Sequence, residues 1–119
     1  MKTIARLPVA QLAADHTHVE AFKALAHLSR LQIFFALVKA EREMAVGEIQ
    51  EIVEIPGPTL SHHLEKLKHE GLLEVRRDGS FLWYSAKTDA LEELLTFLYA
   101  ECCTRNKAVK AEKIIQLCK

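Results

Sequence analysis

The chain has 119 residues, half of them hydrophobic, with 16 basic residues against 16 acidic ones. That length suits one hydrophobic core and leaves little room for a second domain. A formal charge of zero means that a polyanionic partner cannot be argued from the whole-molecule field, only from local placement. No run approaches the roughly 18 apolar residues of a membrane span, and Met1-Lys2-Thr3-Ile4-Ala5-Arg6 lacks the apolar core of a secretory signal, so a cytoplasmic protein with no membrane partner is expected.

Pro8 to Ala26 carries Val9, Leu12, Ala13, Val19, Phe22 and Leu25 at helical spacing, as one helix or as two broken around Asp15-His16-Thr17, where Thr17 and Glu20 fit a capping box. His16 and His18 lie two residues apart and so on different helix faces, a poor arrangement for a shared metal. Ser29 and Gln32 form a second capping box before Leu31, Phe34, Phe35, Leu37 and Val38, which predicts a buried helix ending near Ala40. Val46 to Val53 places Ile49, Ile52 and Val53 on one face, but is too short to stand without neighbours.

Ile55-Pro56-Gly57-Pro58 forces a turn, with Pro58 suited to the first position of a helix running from Thr59 to about His69. Leu60, Leu64 and Leu67 form its inner stripe, and Gly71 stands where a left-handed residue closes a helix. Leu72 to Arg77 and Phe81 to Ala86 flank Asp78-Gly79, which predicts an antiparallel hairpin with Trp83 and Tyr84 as packing residues. Thr88 is placed to cap a last long helix, with Asp89, Glu92 and Glu93 at its positive end and Leu91, Leu94, Leu95 and Leu98 on its packing face. Ala108 to Lys119 is again helix-compatible.

The expected fold is therefore mainly α, of the α+β kind. It is a single winged helix-turn-helix domain over residues 1–119, with about five to six helices and one β-hairpin wing. Thr59, Ser61, His62 and His63 crowd the first turns of the helix after Pro58 with short donors and acceptors, which is where a recognition helix meets base edges and phosphates. Lys66, Lys68, Arg76 and Arg77 supply positive charge nearby, and Ser80 at the wing tip suits a phosphate. Glu65, Glu70, Glu74 and Asp78 are interspersed among them, so charge alone decides nothing. No acid/base pair, phosphate loop or nucleophile elbow points to an enzyme.

Between Ala21 and Cys103 the chain resembles the ArsR/SmtB metalloregulatory repressors. The resemblance is carried by Phe22-Lys23-Ala24-Leu25-Ala26-His27, Ser29-Arg30-Leu31, Val46-Gly47-Glu48-Ile49, Pro58-Thr59-Leu60-Ser61-His62-His63-Leu64, Gly71-Leu72-Leu73 and the wing from Arg76 to Tyr84. It implies a homodimer joined through the first and last helices. It also implies a repressor that leaves operator double-stranded DNA when an inducer reaches its thiols or imidazoles. The family's Cys-x-Cys arrangement on the short helix is absent from Glu48 to Ile52, and its Asp-x-His zinc arrangement is absent after Asp89.

Three cysteines remain, Cys102, Cys103 and Cys118. Cα atoms of adjacent residues are about 3.8 Å apart, short of the ~4.4–6.8 Å disulfide span, so Cys102 and Cys103 are read as free thiols. Their pattern resembles members that sense trivalent arsenic. Thiolates suit that soft centre: two sulfurs satisfy methylarsenite and a third favours inorganic arsenite. No cofactor is expected to be required, and As(III) or methylarsenite is the expected inducer. On one unbroken helix Cys118 would lie roughly 24 Å from Cys102, so as third ligand it needs either a turn near Thr104-Arg105-Asn106 or a contribution across the dimer. Two alternatives stay open: a repressor triggered by thiol oxidation or reactive sulfur, and a protein-interaction winged helix that never touches DNA.

Overall fold

The computed structural model describes residues 16–103 and Lys113. The expected start of the first helix at Pro8, the helical reading of Ala108 to Lys119, the turn near Thr104 and Cys118 all lie outside the described residues. The elements follow in the order α1 His16–Leu25, α2 Leu28–Ala40, β1 Met44–Ala45, α3 Val46–Val53, α4 Gly57–His69, β2 Leu73–Asp78, β3 Phe81–Ala86 and α5 Thr88–Cys103. This is the winged helix-turn-helix architecture anticipated from the residue pattern, with one added strand.

The chain breaks between α1 and α2 at a histidine rather than at the predicted serine. His27 has extended backbone, and its Nδ1 accepts a hydrogen bond from the Ser29 amide at 3.2 Å, so the imidazole does the N-capping and Ser29 already lies inside the helix. From α2 the side chains of Ile33, Phe34 and Leu37 go inward, while Phe35 stays exposed. Helix α3 contributes Ile49 to the core and leaves Ile52 outside. Its start is tied by Glu48, whose carboxylate accepts from the Ala45 amide at 3.0 Å and from Arg42 at 2.9 Å.

Helix α4 opens with Gly57, so Pro58 takes the second helical position, where its missing N–H still costs nothing. Leu60, Leu64 and Leu67 are fully buried against Ile33, Phe34, Leu37, Met44 and Ile49, as their spacing requires. Burial of each such side chain contributes about 1.5–3 kcal/mol. The helix ends in a Schellman motif: the Leu72 amide donates to the Leu67 carbonyl at 3.0 Å and the Gly71 amide to Lys68 at 2.9 Å. That geometry needs a left-handed residue, and Gly71 supplies it with φ 76°.

Beyond this joint the wing pairs Leu73 with Ala86 through Asp78 with Phe81, so the two-residue turn is Gly79-Ser80, one residue later than the predicted Asp78-Gly79. Gly79 carries the positive φ of 64° that the first turn position of a type II′ hairpin demands. A two-residue strand, β1, adds to the free side of β3 through Met44–Tyr84 and Ala45–Trp83, giving the order β1-β3-β2. Two residues are too few to show alternation, which is why periodicity does not reveal this strand.

Helix α5 starts at Thr88, which is its first helical residue rather than its cap; the Lys87 carbonyl accepts the opening bonds from Ala90 and Leu91. Leu94 is buried and Ala90 and Leu91 pack on the core, but Leu95, Leu98 and Tyr99 are exposed, together with Val19 of α1. The ring of His18 stacks on Phe97 at 3.8 Å and 7°, linking α1 to α5. No single described helix is long and apolar enough to cross a membrane.

A Cβ at Gly71 would meet nothing within 4 Å, so Gly71→Ala isolates the backbone penalty and is expected to destabilise by about 1–2 kcal/mol. Gly47→Ala meets the same open space inside helix α3 and is expected to be neutral or stabilising by up to ~1 kcal/mol. Urea midpoints of the two variants, moving in the same direction by similar amounts, would contradict this account.

Candidate nucleic-acid interface

The outer face of α4 is built by the same arithmetic that builds its inner stripe. With Leu60, Leu64 and Leu67 turned inward, Thr59, Ser61 and His62 are exposed on the first two turns and Lys66 is half-buried one turn on. Hydroxyls and an imidazole thus sit beside the positive end of a helix dipole. Lys68 is also exposed, but it leans toward Glu65 at 3.9 Å.

His63 does not join this face. It is only 6% exposed, its ring lies 4.6 Å from that of His27, and Arg30 Nη1 approaches its Nδ1 at 3.5 Å while Arg30 Nε donates to the Ala24 carbonyl at 2.6 Å. The expectation that His63 touches DNA is corrected. Its position, three residues after Leu60 and four before Leu67, puts it on the buried stripe, and the spacing already carried that signal. A guanidinium only donates, so in this contact His63 Nδ1 takes the acceptor role. His27 Nδ1 likewise accepts, from Ser29. Neither His27 nor Arg30 was singled out as structural by motif reading, yet together they seat α4 against the start of α2.

Burial, followed by the neighbouring His27, Arg30 and His62 charges, pushes the His63 pKa below 6.5. The folded protein therefore holds fewer protons here than the unfolded chain. The contribution of His63 to stability is complete above pH 6.5 and is lost as pH falls from 6.5 through the depressed native value. The carboxylates of Glu43 and Glu48 titrate below 4.5 and leave that window to histidine. Unfolding midpoints between pH 7 and pH 5 should fall more steeply for the native chain than for His63→Gln; superimposable profiles would refute the assignment.

The wing separates two arginines that are neighbours in sequence. Side chains alternate along a strand, and the register places Leu73, Val75 and Arg77 opposite Ala86, Tyr84 and Leu82 on the face that carries the buried Leu73 and Tyr84. Glu74, Arg76 and Asp78 occupy the other face with Ser85, Trp83 and Phe81. Arg77 is exposed at the end of its row, next to the exposed Ser80 of the turn. Arg76 is not a free cation: its Nε and Nη2 hold the Glu43 carboxylate at 2.9–3.0 Å, and its Cζ stands 6.0 Å from the Trp83 ring centroid. The hydrogen bond from Arg76 keeps the Glu43 carboxyl below its usual range.

The remaining sequence candidates, Cys102 and Cys103, are the last two residues of α5. Among the described residues no cluster of three or more histidine, cysteine or acidic side chains has the arrangement of a metal site.

Comparison with known proteins follows the same lines. Residues 25–76, from the end of α1 to the wing, match the family model described as a helix-turn-helix domain. The HTH-type transcriptional regulator KmtR of Mycobacterium tuberculosis is 39% identical over 77 residues, which are 65% of this chain and 58% of that protein, so the match spans little more than half of that relative. The biofilm growth-associated repressor of Agrobacterium fabrum is 33% identical over 101 residues, covering 84% of this chain and 85% of the repressor. Among solved structures, the homodimeric winged helix-turn-helix DNA-binding domain of a possible ArsR-family regulator from Mycobacterium bovis superposes with a TM-score of 0.59 at 29% identity, covering 83% of this chain and 85% of that one.

Proposed function

The chain belongs to the ArsR/SmtB family of winged helix-turn-helix transcriptional regulators, and we propose that it is a homodimeric repressor whose operator affinity falls when trivalent arsenic binds its cysteines. The observation that carries the DNA half is the polar outer face of α4. Thr59, Ser61 and His62 stand exposed on its first two turns, Lys66 is on the same helix, and Arg77 and Ser80 are at the wing tip. In this reading the α4 helices of two protomers enter successive major grooves about 34 Å apart, and Lys66, Arg77 and Ser80 take phosphates. Dimerisation is supported by the exposed apolar side chains Val19, Leu95, Leu98 and Tyr99 on α1 and α5.

The sensing half rests on chemistry. Cys102 and Cys103 offer adjacent sulfurs at the end of α5, and Cys118 is the remaining thiol for a third bond. Each As–S bond forms as a thiol gives up its proton and the arsenical loses a hydroxyl as water, so two cysteines complete methylarsenite and three complete arsenite. Release from DNA follows by linkage: the arsenical must bind the DNA-free arrangement more tightly, by a coupling of about 1–3 kcal/mol in typical cases.

Binding to the DNA upstream of the chain's own gene tests both halves. Thr59→Ala, Ser61→Ala and His62→Ala should each weaken operator binding by about 1 kcal/mol or more and affect unrelated DNA less. Lys66→Gln and Arg77→Gln should weaken binding to any DNA and lower the salt slope by about one per lost contact. Arsenite or methylarsenite should weaken native binding about 5–150-fold, and Cys102→Ser and Cys103→Ser should abolish that response while sparing basal affinity. Absence of a mobility shift at low salt would overturn the DNA half. Arsenical release that survives both serine variants would overturn the sensing half, and release by peroxide alone would assign the thiols to oxidation.

A further inference from the structure

We infer that Glu43, together with Arg76, positions the wing: their ion pair is a brace across the sheet that sets the orientation of the Arg77–Ser80 tip relative to the helix-turn-helix. The consequence for affinity rests on the DNA-binding reading above; the brace itself does not.

The geometry favours a brace over a phosphate ligand. Arg76 projects from β2, passes beside the ring of Trp83 on β3 and ends on a carboxylate one residue before β1, so one side chain spans all three strands. The two edge atoms that would grip a phosphate in a forked contact, Nε and Nη2, are both engaged with Glu43 at 2.9–3.0 Å. A second carboxylate, Asp78, lies 3.9 Å from Nη1, which makes the surroundings hostile to another anion. Arg76 also occupies the sheet face opposite to that of Arg77.

The fold needs such a tie. A two-stranded hairpin is marginal alone, and β1 adds only two residue pairs to it. Yet β1 runs without a break into α3, where the Glu48 carboxylate holds both the Ala45 amide and Arg42. Glu43 thereby connects the outer strand of the wing to the helix that precedes the recognition helix. Neither half of the pair is conspicuous in sequence, because 33 residues separate them.

Four variants test the inference: Glu43→Gln, Arg76→Gln, the exchange of Glu43→Arg with Arg76→Glu, and Arg77→Gln as comparator. Hydrogen exchange of the β2–β3 amides in the DNA-free protein is the first readout. Protection should drop in each of the first two and recover in the exchange. Salt-dependent operator binding is the second. Glu43→Gln and Arg76→Gln should weaken binding roughly two- to fivefold per subunit with an unchanged salt slope, as suits loss of an exposed ion pair. The exchange should restore it, and Arg77→Gln should reduce the slope by about one. Unchanged protection in Glu43→Gln overturns the brace whether or not the chain binds DNA. Tighter binding by Glu43→Gln, with a slope reduced in Arg76→Gln, overturns it in favour of a competitor for a phosphate-binding arginine. A native chain that does not shift DNA refutes the functional reading, while the exchange measurement still decides the brace.

Discussion

One joint organises the molecule: the left-handed glycine at the end of α4. Gly71 bends the chain so that the Leu72 amide closes α4 on Leu67, while the Leu72 carbonyl receives the Lys87 amide at 2.9 Å. A single residue thus belongs to the cap of the recognition helix, to the entry of β2 and to the threshold of α5. Leu72 is 1% exposed, so both of its backbone bonds are shielded from competing water. A β-carbon at position 71 would strain this joint through φ alone, with no clash needed.

Around the joint, charge is arranged locally rather than globally. Sixteen cations against sixteen anions produce no net field, but the ion pairs are distributed unevenly. Arg42 is spent on Glu48, Arg76 on Glu43, and Lys68 leans toward Glu65. Among the described residues, Lys66 and Arg77 enter no ion pair, and they stand on the elements that a winged helix would present to a phosphate backbone. Pairing thus commits Arg42 and Arg76 to the architecture and leaves Lys66 and Arg77 without a carboxylate partner. A neutral protein organised in this way would neutralise few phosphates and so depend only modestly on salt.

Much of this was legible in the residues. The stripe Leu60, Leu64, Leu67 with Gly71 after it located α4 and its end to within a residue or two, and the hairpin and the short α3 followed from alternation and length. What stayed hidden was long-range or one residue wide. The imidazole cap at His27 was missed because Ser29 offers the more usual capping chemistry two positions later. His63 was assigned to the outer face on residue type, although the stripe's own spacing puts it inside. The pairing of Glu43 with Arg76 depends on how β1 docks, and a two-residue strand has no periodicity to announce it. Arg76 and Arg77 looked equivalent until strand alternation placed them on opposite faces.

The attachment of α5 carries the last step. Its first half is anchored on the core: Ala90, Leu91 and Leu94 meet it and Lys87 is bonded to Leu72, while beyond them Leu95, Leu98 and Tyr99 are exposed among the described residues. The second half is joined instead to α1, through the stacking of Phe97 on His18. Helix α1 is itself held on the core by the buried Ala21 and Ala24, so the stack ties the outer part of α5 back to the same core. Burying a Leu side chain contributes about 1.5–3 kcal/mol, comparable with a typical coupling free energy of ~1–3 kcal/mol. In the proposed reading a ligand at the end of α5 would therefore need to unfold nothing: burial or release of one exposed side chain such as Leu98 carries a free energy of that size.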